Sequence, residues 1–113
     1  MISSDAARVP DVQHVSYRPS RDDRDATIVW LRGEHDVATA SEDAHRLAGA
    51  MEGRTDVIVD LSGVTFIGAA TLGVFVRAQD VLRRGSRNLT LRSPSPIAQR
   101  VLGVCGLDYS VSA

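Results

Sequence analysis

Apolar and polar residues follow two different periods along this chain, and the points where the period changes predict its elements. Residues 57–60 form a short β-branched apolar run closed by Asp60, which is typical of a buried strand in a parallel sheet. A helical period begins near Ala69, and Leu72, Phe75, Val76, Gln79 and Leu82 share one face. We therefore predict a strand over 56–60, a loop over 61–67, and a helix over 69–84 that Gly85 ends.

Similar signals predict the remaining elements. Strands are expected at residues 12–18, 26–32 and 89–91; the first is an edge strand, and Gly33 ends the second. The charged run 19–25 is expected to be a solvated hairpin connection. One helix begins near Ala40 after a capping-box pattern of Thr39 and Glu42, and the last helix follows Ser95 as N-cap with Pro96 at its first position. The predicted inward face of the helix near Ala40 consists of Ala44, Leu47, Ala48 and Met51. The predicted inward face of the last helix consists of Ile97, Val101, Leu102 and Cys105, and Gly106 is its predicted C-terminal cap.

The predicted order ββαβαβα indicates an α/β domain in which helical crossovers join parallel strands. We expect a single sheet whose central strands contain Trp30 and Ile58, with the helices near Ala40 and Ala69 packed on one face. A chain of 113 residues suits one domain, at 11–113, after a flexible N-terminal tail at 1–10.

Composition narrows the classes of function. The formal net charge is −1, so there is no overall attraction to nucleic acid or to acidic lipid surfaces. The single cysteine, Cys105, excludes an internal disulfide and a cysteine-rich zinc site, and its place on an inward face predicts a buried, unreactive thiol. The sequence has no signal-peptide pattern at its start and no apolar run of membrane length, so we expect a cytoplasmic protein.

Three groups of residues suggest chemistry without completing a site. Glu34, His35 and Asp36 place two carboxylates beside an imidazole, but no second ligand pair has suitable spacing, so a solvated loop is favoured over a metal or acid–base site. Ser62, His35 and Asp60 match a hydrolase triad in residue type only, since no Gly-x-Ser-x-Gly motif is present. The glycines at 63, 68 and 73 lack the Gly-Lys-Ser/Thr of a phosphate-binding loop. We expect a non-enzymatic protein without metal or cofactor.

Three motifs, in matching order and spacing, resemble the STAS domain of bacterial anti-sigma factor antagonists over residues 26–110. They are Gly33-Glu-His-Asp-Val-Ala-Thr39, the segment Asp60-Leu-Ser-Gly-Val-Thr-Phe-Ile-Gly-Ala-Ala-Thr-Leu-Gly73, and the ending Ser93-Pro-Ser-Pro to Gly106-Leu-Asp108. The resemblance implies a single STAS-type α/β domain, with a mixed four- to five-stranded sheet and helices packed mainly on one face. It also implies a module that binds a kinase-like anti-sigma factor, so that a sigma factor is released for transcription. In the family, phosphorylation of a serine by the same partner ends that interaction.

The family's phosphorylation switch is missing from this sequence. Where the family has Asp followed by the phosphorylatable Ser, this chain has Gly68 and Ala69. Ala69 has no hydroxyl; Thr71 is the remaining hydroxyl of the turn and a possible surrogate, but we expect it to bond to local backbone instead. The resemblance therefore implies a domain held permanently in the form of the unphosphorylated antagonist.

Two hypotheses from different classes follow. The first is a protein-binding regulator, either an anti-sigma factor antagonist or a subunit of a larger regulatory complex, whose partner is an anti-sigma factor or a related regulatory protein. In the family, the strand-to-helix turn and the acidic loop before it meet the anti-sigma factor; the matching positions here are Glu34, Asp36, Thr39, Gly68, Ala69, Ala70 and Thr71. The alternative is a STAS-type ligand sensor whose free N–H groups after Ile67 bind a nucleotide or another anion. No Lys or Arg lies between residues 57 and 76, and Arg77 and Arg92 contribute only if the fold brings them in. The sequence leaves open the identity of the partner and whether the domain forms a homodimer through an edge strand.

Overall fold

The structure, a computed structural model, describes residues 12–15 and 26–109. Its elements are β1 (Val12–Val15), β2 (Ala26–His35), α1 (Val37–Met51), β3 (Asp56–Ile67), α2 (Ala69–Arg84), β4 (Leu89–Arg92) and α3 (Pro96–Val104). Over the described residues, the predicted order ββαβαβα is confirmed. The predicted tail at 1–10, residues 16–18 of the first predicted strand, and the predicted hairpin connection at 19–25 lie outside the described residues.

The strands form one sheet in the order β1-β2-β3-β4. Strands β2, β3 and β4 are mutually parallel, and β1 runs antiparallel to β2. Parallel neighbours need a crossover connection, and α1 and α2 supply the two that this sheet requires. The central strands β2 and β3 contain Trp30 and Ile58, as the alternation of periods predicted.

One face of the sheet is covered by all three helices, which share a single apolar core. That core joins Val29 and Leu31 of β2 and Val57, Val59 and Leu61 of β3 to Leu47 of α1, Phe75 and Leu82 of α2, and Leu102 of α3. Burying one such side chain contributes roughly 1.5–3 kcal/mol. On the opposite face, Ala26, Ile28 and Ile58 form a smaller cluster with Trp30. In the parts of the chain that the structure describes, no helix is long and apolar enough to cross a membrane.

Strands β2 and β3 are longer than the sequence predicted. The predicted strand end at Gly33 was wrong, because Gly33 has φ +79° inside β2 at an irregularity in its pairing with β3. The predicted loop at 61–67 was also wrong, since β3 continues to Ile67, opposite His35. Pairing between the two strands overrides the turn preference of residues 62 and 63. β4 ends at Arg92, which pairs with Asp60 of β3. The ends of β2 and β3 therefore extend beyond the end of β4.

Helix α1 begins earlier and faces inward differently than predicted. Its N-cap is Asp36 rather than Thr39, and Thr39 instead occupies the third helical position. The buried residues are Asp43, Leu47 and Ala50, whereas the alanines at 44 and 48 are exposed. The prediction was right for Leu47, which is buried, and for Met51, which packs against the core. It was wrong for the two alanines, because Asp43 points inward to meet a buried histidine.

The bounds of α2 agree with the prediction, as do the start of α3 and its cap. Ser95 accepts a hydrogen bond from the backbone N–H of Ala98 at 3.3 Å, which confirms the predicted N-cap. The inward face of α3 is Ala98 and Leu102, while the predicted inward residues Ile97 and Cys105 are exposed. The prediction of a buried thiol was therefore wrong, because the helix ends at Val104 and the chain turns away at Gly106, where φ is +73°. On α2, Val76 is likewise exposed.

Candidate docking site

The turn between β3 and α2 lies at the end of the sheet where the parallel strands terminate. Gly68 is the N-cap of α2, and its backbone N–H donates to the carbonyl of His35 at 2.8 Å. Its own carbonyl accepts from Leu72 at 3.2 Å and so closes the first helical turn. Because a glycine offers no capping side chain, the N–H groups of the first α2 residues point outward without an intrahelical acceptor.

A carboxylate from the preceding loop is packed against this turn. A Cβ added to Gly68 would overlap the carboxylate of Asp36. Asp36 therefore brings a negative charge to the start of α2, where the helix dipole favours it. The backbone of Asp36 is held in place by Thr39. The Thr39 hydroxyl accepts a hydrogen bond from the Asp36 N–H at 3.0 Å and donates one to the Asp36 carbonyl at 3.2 Å. The Thr39 hydroxyl thus stabilises the loop from within.

A buried polar pair lies beneath the loop. The Nδ1 of His35 is 2.7 Å from Oδ2 of Asp43, and its Nε2 donates to the carbonyl of Arg32 at 2.8 Å. His35 and Asp43 are 4% and 1% exposed, so the interpretation of residues 34–36 as a solvated loop was wrong for His35. A histidine beside two acidic residues gave no signal for this arrangement, because its partner is on the next helix. The pair joins the end of β2 to α1 directly below the loop.

The structure also corrects the prediction for Thr71. It is fully buried, at 0% exposure, and its hydroxyl has no hydrogen-bond partner among the described residues. The predicted bond to local backbone was therefore wrong, and a residue without exposed surface does not line a docking face. Burial also denies a kinase access to this hydroxyl in the folded protein.

The other predicted contact residues divide by exposure. Glu34 and Ala69 are exposed, Asp36, Thr39 and Ala70 are partly exposed, and Gly68 is buried beneath Asp36. Ala69 is the first residue of α2 and is exposed to solvent. We call the surface formed by Glu34, Asp36, Ala69 and Ala70 the docking surface.

The arrangement of Ser62, His35 and Asp60 does not form a triad. Asp60 holds Ser62 through its backbone N–H at 3.0 Å and its hydroxyl at 2.6 Å, and it binds Arg92 at 2.9 Å. Burial would raise the pKa of the Asp60 carboxyl, but the hydrogen bonds of Ser62 and Arg92 and the charge of Arg92 together lower that pKa. Both ring nitrogens of His35 are bound elsewhere. Within residues 12–15 and 26–109, no three His, Cys, Asp or Glu side chains are grouped as a metal site.

Comparisons with known proteins agree on the fold. The profile of a family described as "Mlab, STAS domain" matches residues 20–111. A crystal structure provisionally assigned as an anti-sigma factor antagonist of Thermotoga maritima has a TM-score of 0.69 at 19% identity, covering 78% of this chain and 80% of that chain. The anti-sigma factor antagonist SpoIIAA in its unphosphorylated form has a TM-score of 0.63 at 18% identity, covering 80% of this chain and 82% of that one. The search of curated proteins gives no match.

Proposed function

The chain belongs to the STAS domain family, and on that premise we propose that it is a non-enzymatic regulator of the anti-sigma factor antagonist type. It binds a kinase-like anti-sigma factor and thereby releases a sigma factor, which regulates transcription. It acts in the cytoplasm, where bacterial transcription takes place. The shared fold with the anti-sigma factor antagonist SpoIIAA, and with a second structure provisionally assigned to that class, supports this assignment.

The observation that supports the docking surface best is the exposed alanine at the start of α2. Ala69 faces solvent beside Ala70, and these small side chains allow the backbone of another protein to approach closely. An alanine offers a kinase no hydroxyl, and the remaining hydroxyl of the turn, at Thr71, is buried. The regulator is therefore not switched off by phosphorylation at this turn.

The alternative of an anion sensor is disfavoured by the charges around the α2 start. The carboxylate of Asp36 lies against Gly68 and repels an anion that approaches the free N–H groups. Arg92 is bound to Asp60, and the Arg77 guanidinium lies over Gly73, one turn further along α2. Neither arginine supplies the positive charge that a nucleotide phosphate requires at this point.

Substitution of Ala69 by glutamate tests the proposal. The new carboxylate is buried without a partner in the complex, which costs several kcal/mol, so we expect the affinity to fall by about a hundredfold or more. The isolated domain keeps its fold, because a carboxylate in the first helical turn is locally favourable. Calorimetric titration against the kinase-like anti-sigma factors of the source organism measures the change.

The matched control is Ala48→Glu, which adds the same charge to an exposed alanine near the other end of α1. We expect this variant to bind as the parent does. If Ala69→Glu also retains the parent's affinity, the docking surface lies elsewhere and the proposed function loses its main support.

A further inference from the structure

The loop between α2 and β4 presents a serine shortly after two arginines. Arg83 and Arg84 lie in the last turn of α2, Gly85 is its C-cap, and Ser86 follows. All four residues are exposed. Arg83-Arg84 is the one place in the sequence where two arginines are adjacent, and they stand at the third and second positions before Ser86. The loop therefore combines an exposed serine with two positive charges at a fixed spacing.

The backbone of Ser86 has a conformation that glycine adopts more easily. Its φ is +60°. Its N–H donates to the carbonyl of Arg83 at 3.0 Å, and the N–H of Arg87 donates to the carbonyl of Leu82 at 2.9 Å. Helices often end with these bonds, and the left-handed residue among them is usually glycine. Strained residues of this kind occur preferentially at functional sites.

Ser86 also lines a cleft that contains two further arginines. The cleft lies between the loop after α1 and the loop after α2, and its walls include Glu52, Gly53, Arg54, Gly85, Ser86 and Arg87. Arg87 is held in place, because its Nη1 donates to the carbonyl of Gly53 and, at 3.3 Å, to that of Thr55. Arg54 is exposed. Two guanidinium groups against the carboxylate of Glu52 give these walls a positive charge that favours an anion.

From this arrangement we propose that Ser86 is a phosphorylation site for an arginine-directed serine kinase, and that Arg54 and Arg87 hold the phosphate in the cleft. Carboxylates in the substrate groove of such a kinase pair with guanidinium groups at the two preceding positions, and charge-assisted pairs of this kind are strong. Because residues 83–86 are exposed, this end of the helix opens to the kinase with little loss of buried contact. The inference does not depend on the proposed function.

The reaction is a phosphoryl transfer from ATP. The bond between the γ-phosphorus and the oxygen that bridges it to the β-phosphorus breaks, and a bond forms between the γ-phosphorus and Oγ of Ser86. The hydroxyl proton passes to the catalytic carboxylate of the kinase, and ADP leaves. The product carries a charge of about −1.5 to −2 in the cleft with Arg54 and Arg87, which donate new charge-assisted hydrogen bonds.

The kinase is distinct from a partner bound at the docking surface. Ala69 begins α2 and Ser86 follows its end, and the 16 residues of the helix extend over about 24 Å. A kinase whose active site is aligned with Ala69 therefore does not reach Ser86. Salt screens the phosphate charge over this distance, since the Debye length is about 8 Å at physiological ionic strength. We expect modification of Ser86 to leave binding at the docking surface unchanged.

Peptide mapping by mass spectrometry, on the protein isolated from growing and from stationary cells of its source organism, is the first test. We expect a phosphate on Ser86 in at least one of these states. In vitro, the probe is the catalytic subunit of cyclic-AMP-dependent protein kinase with ATP, acting on the folded chain. Replacing Arg83 and Arg84 together by glutamine should lower kcat/KM by roughly tenfold or more. Arg77→Gln, at another exposed arginine of α2, is the matched control and should retain the parent's value.

Thermal unfolding tests the contacts of the phosphate. The phosphorylated parent should unfold roughly 4 °C or more above the unmodified parent, and Arg54→Gln should remove that increase. Equal Tm values of the two forms would refute the role of the cleft arginines. Protein from cells without phosphate on Ser86 would overturn the phosphorylation site, even if the probe kinase modifies it. A rate that does not respond to the loss of Arg83 and Arg84 would overturn it as well.

Discussion

Gly68 and Asp36 occupy one small space, and this explains why glycine suits position 68 in this chain. The backbone of Gly68 is extended, with φ −110° and ψ 176°, so its conformation does not require glycine. The requirement is steric, because the Asp36 carboxylate lies where a Cβ at position 68 would be. In this chain the negative charge at the start of α2 is thus supplied by Asp36, which lies just before α1.

A double-mutant cycle tests that explanation. Gly68→Ala should lower the free energy of unfolding by about 1–3 kcal/mol, the usual cost of overpacking. In an Asp36→Ala background the same substitution should cost less by at least about 0.5 kcal/mol, because the overlapping atoms are gone. Urea unfolding of the four proteins measures both values. Additive effects would mean that the two side chains do not compete for space.

Asp60 gives the chain a predictable response to acid. Its folded pKa lies below the ordinary value of 3.8, because the bonds from Ser62 and Arg92 outweigh the effect of burial. A carboxyl with a lowered folded pKa stabilises the protein above the unfolded value, and this contribution is lost as the pH falls through the folded value.

We therefore expect the free energy of unfolding to decline as the pH falls below about 4–5, and Asp60→Asn to remove part of that decline. Denaturant unfolding at a series of pH values measures the slope. Asp80→Asn, at an exposed position of α2, serves as the control and should keep the parent's slope. An unchanged slope in Asp60→Asn would show that the carboxylate contributes nothing in acid.

At the scale of elements, the pair of His35 and Asp43 fastens the end of β2 to α1. One ring nitrogen of His35 is bound to Asp43 and the other to the backbone of β2, while the His35 carbonyl receives the N–H of Gly68. A single residue therefore connects the strand, the first helix and the turn that opens the second helix. The docking surface depends on this connection for its shape.

Breaking the pair should be costly. Asp43→Ala leaves the Nδ1 of the buried imidazole without its partner, so we expect a loss of about 1–3 kcal/mol in the free energy of unfolding. Glu42→Ala, next to it on the exposed face of α1, should stay within about 0.5 kcal/mol of the parent. Replacing both members, as in His35→Leu with Asp43→Leu, should recover part of the loss, because the imidazole and the carboxylate are then both removed and only the Arg32 carbonyl loses its donor. Equal stability of the Asp43 and Glu42 variants would contradict this account.

The elements also show which parts of the fold the sequence was able to predict. The bounds of α2 followed from local signals, since its apolar period and the glycine at 85 are both contained in the segment itself. Which face of α1 is buried did not follow from local signals, because it depends on the buried carboxylate of Asp43, whose partner lies on another element. The continuation of β3 through Ser62 and Gly63 depends in the same way on pairing with β2. The sequence pattern placed Ala69 correctly at the start of a helix, whereas the burial of Thr71 required the packed structure.

At the scale of the whole molecule, the docking surface lies at one end of a sheet whose core is supplied by all three helices. Glu34, Ala69 and Phe66 are exposed there, while the residues directly beneath them hold the strand ends and helix starts in place. We infer a regulator whose binding state is set by how much of the partner is available. On the proposed function, phosphorylation of the turn plays no part in that control.

Calorimetric titration with the anti-sigma factor, before and after incubation of the chain with that factor and ATP, tests this claim most directly. Intact-mass spectrometry of the same samples reports any phosphate. Ala69→Ser restores the family's hydroxyl and serves as the control for kinase activity. The account predicts that the parent binds with the same affinity before and after ATP and gains no mass. A parent chain that gains one phosphate at Thr71 and loses its affinity would contradict it.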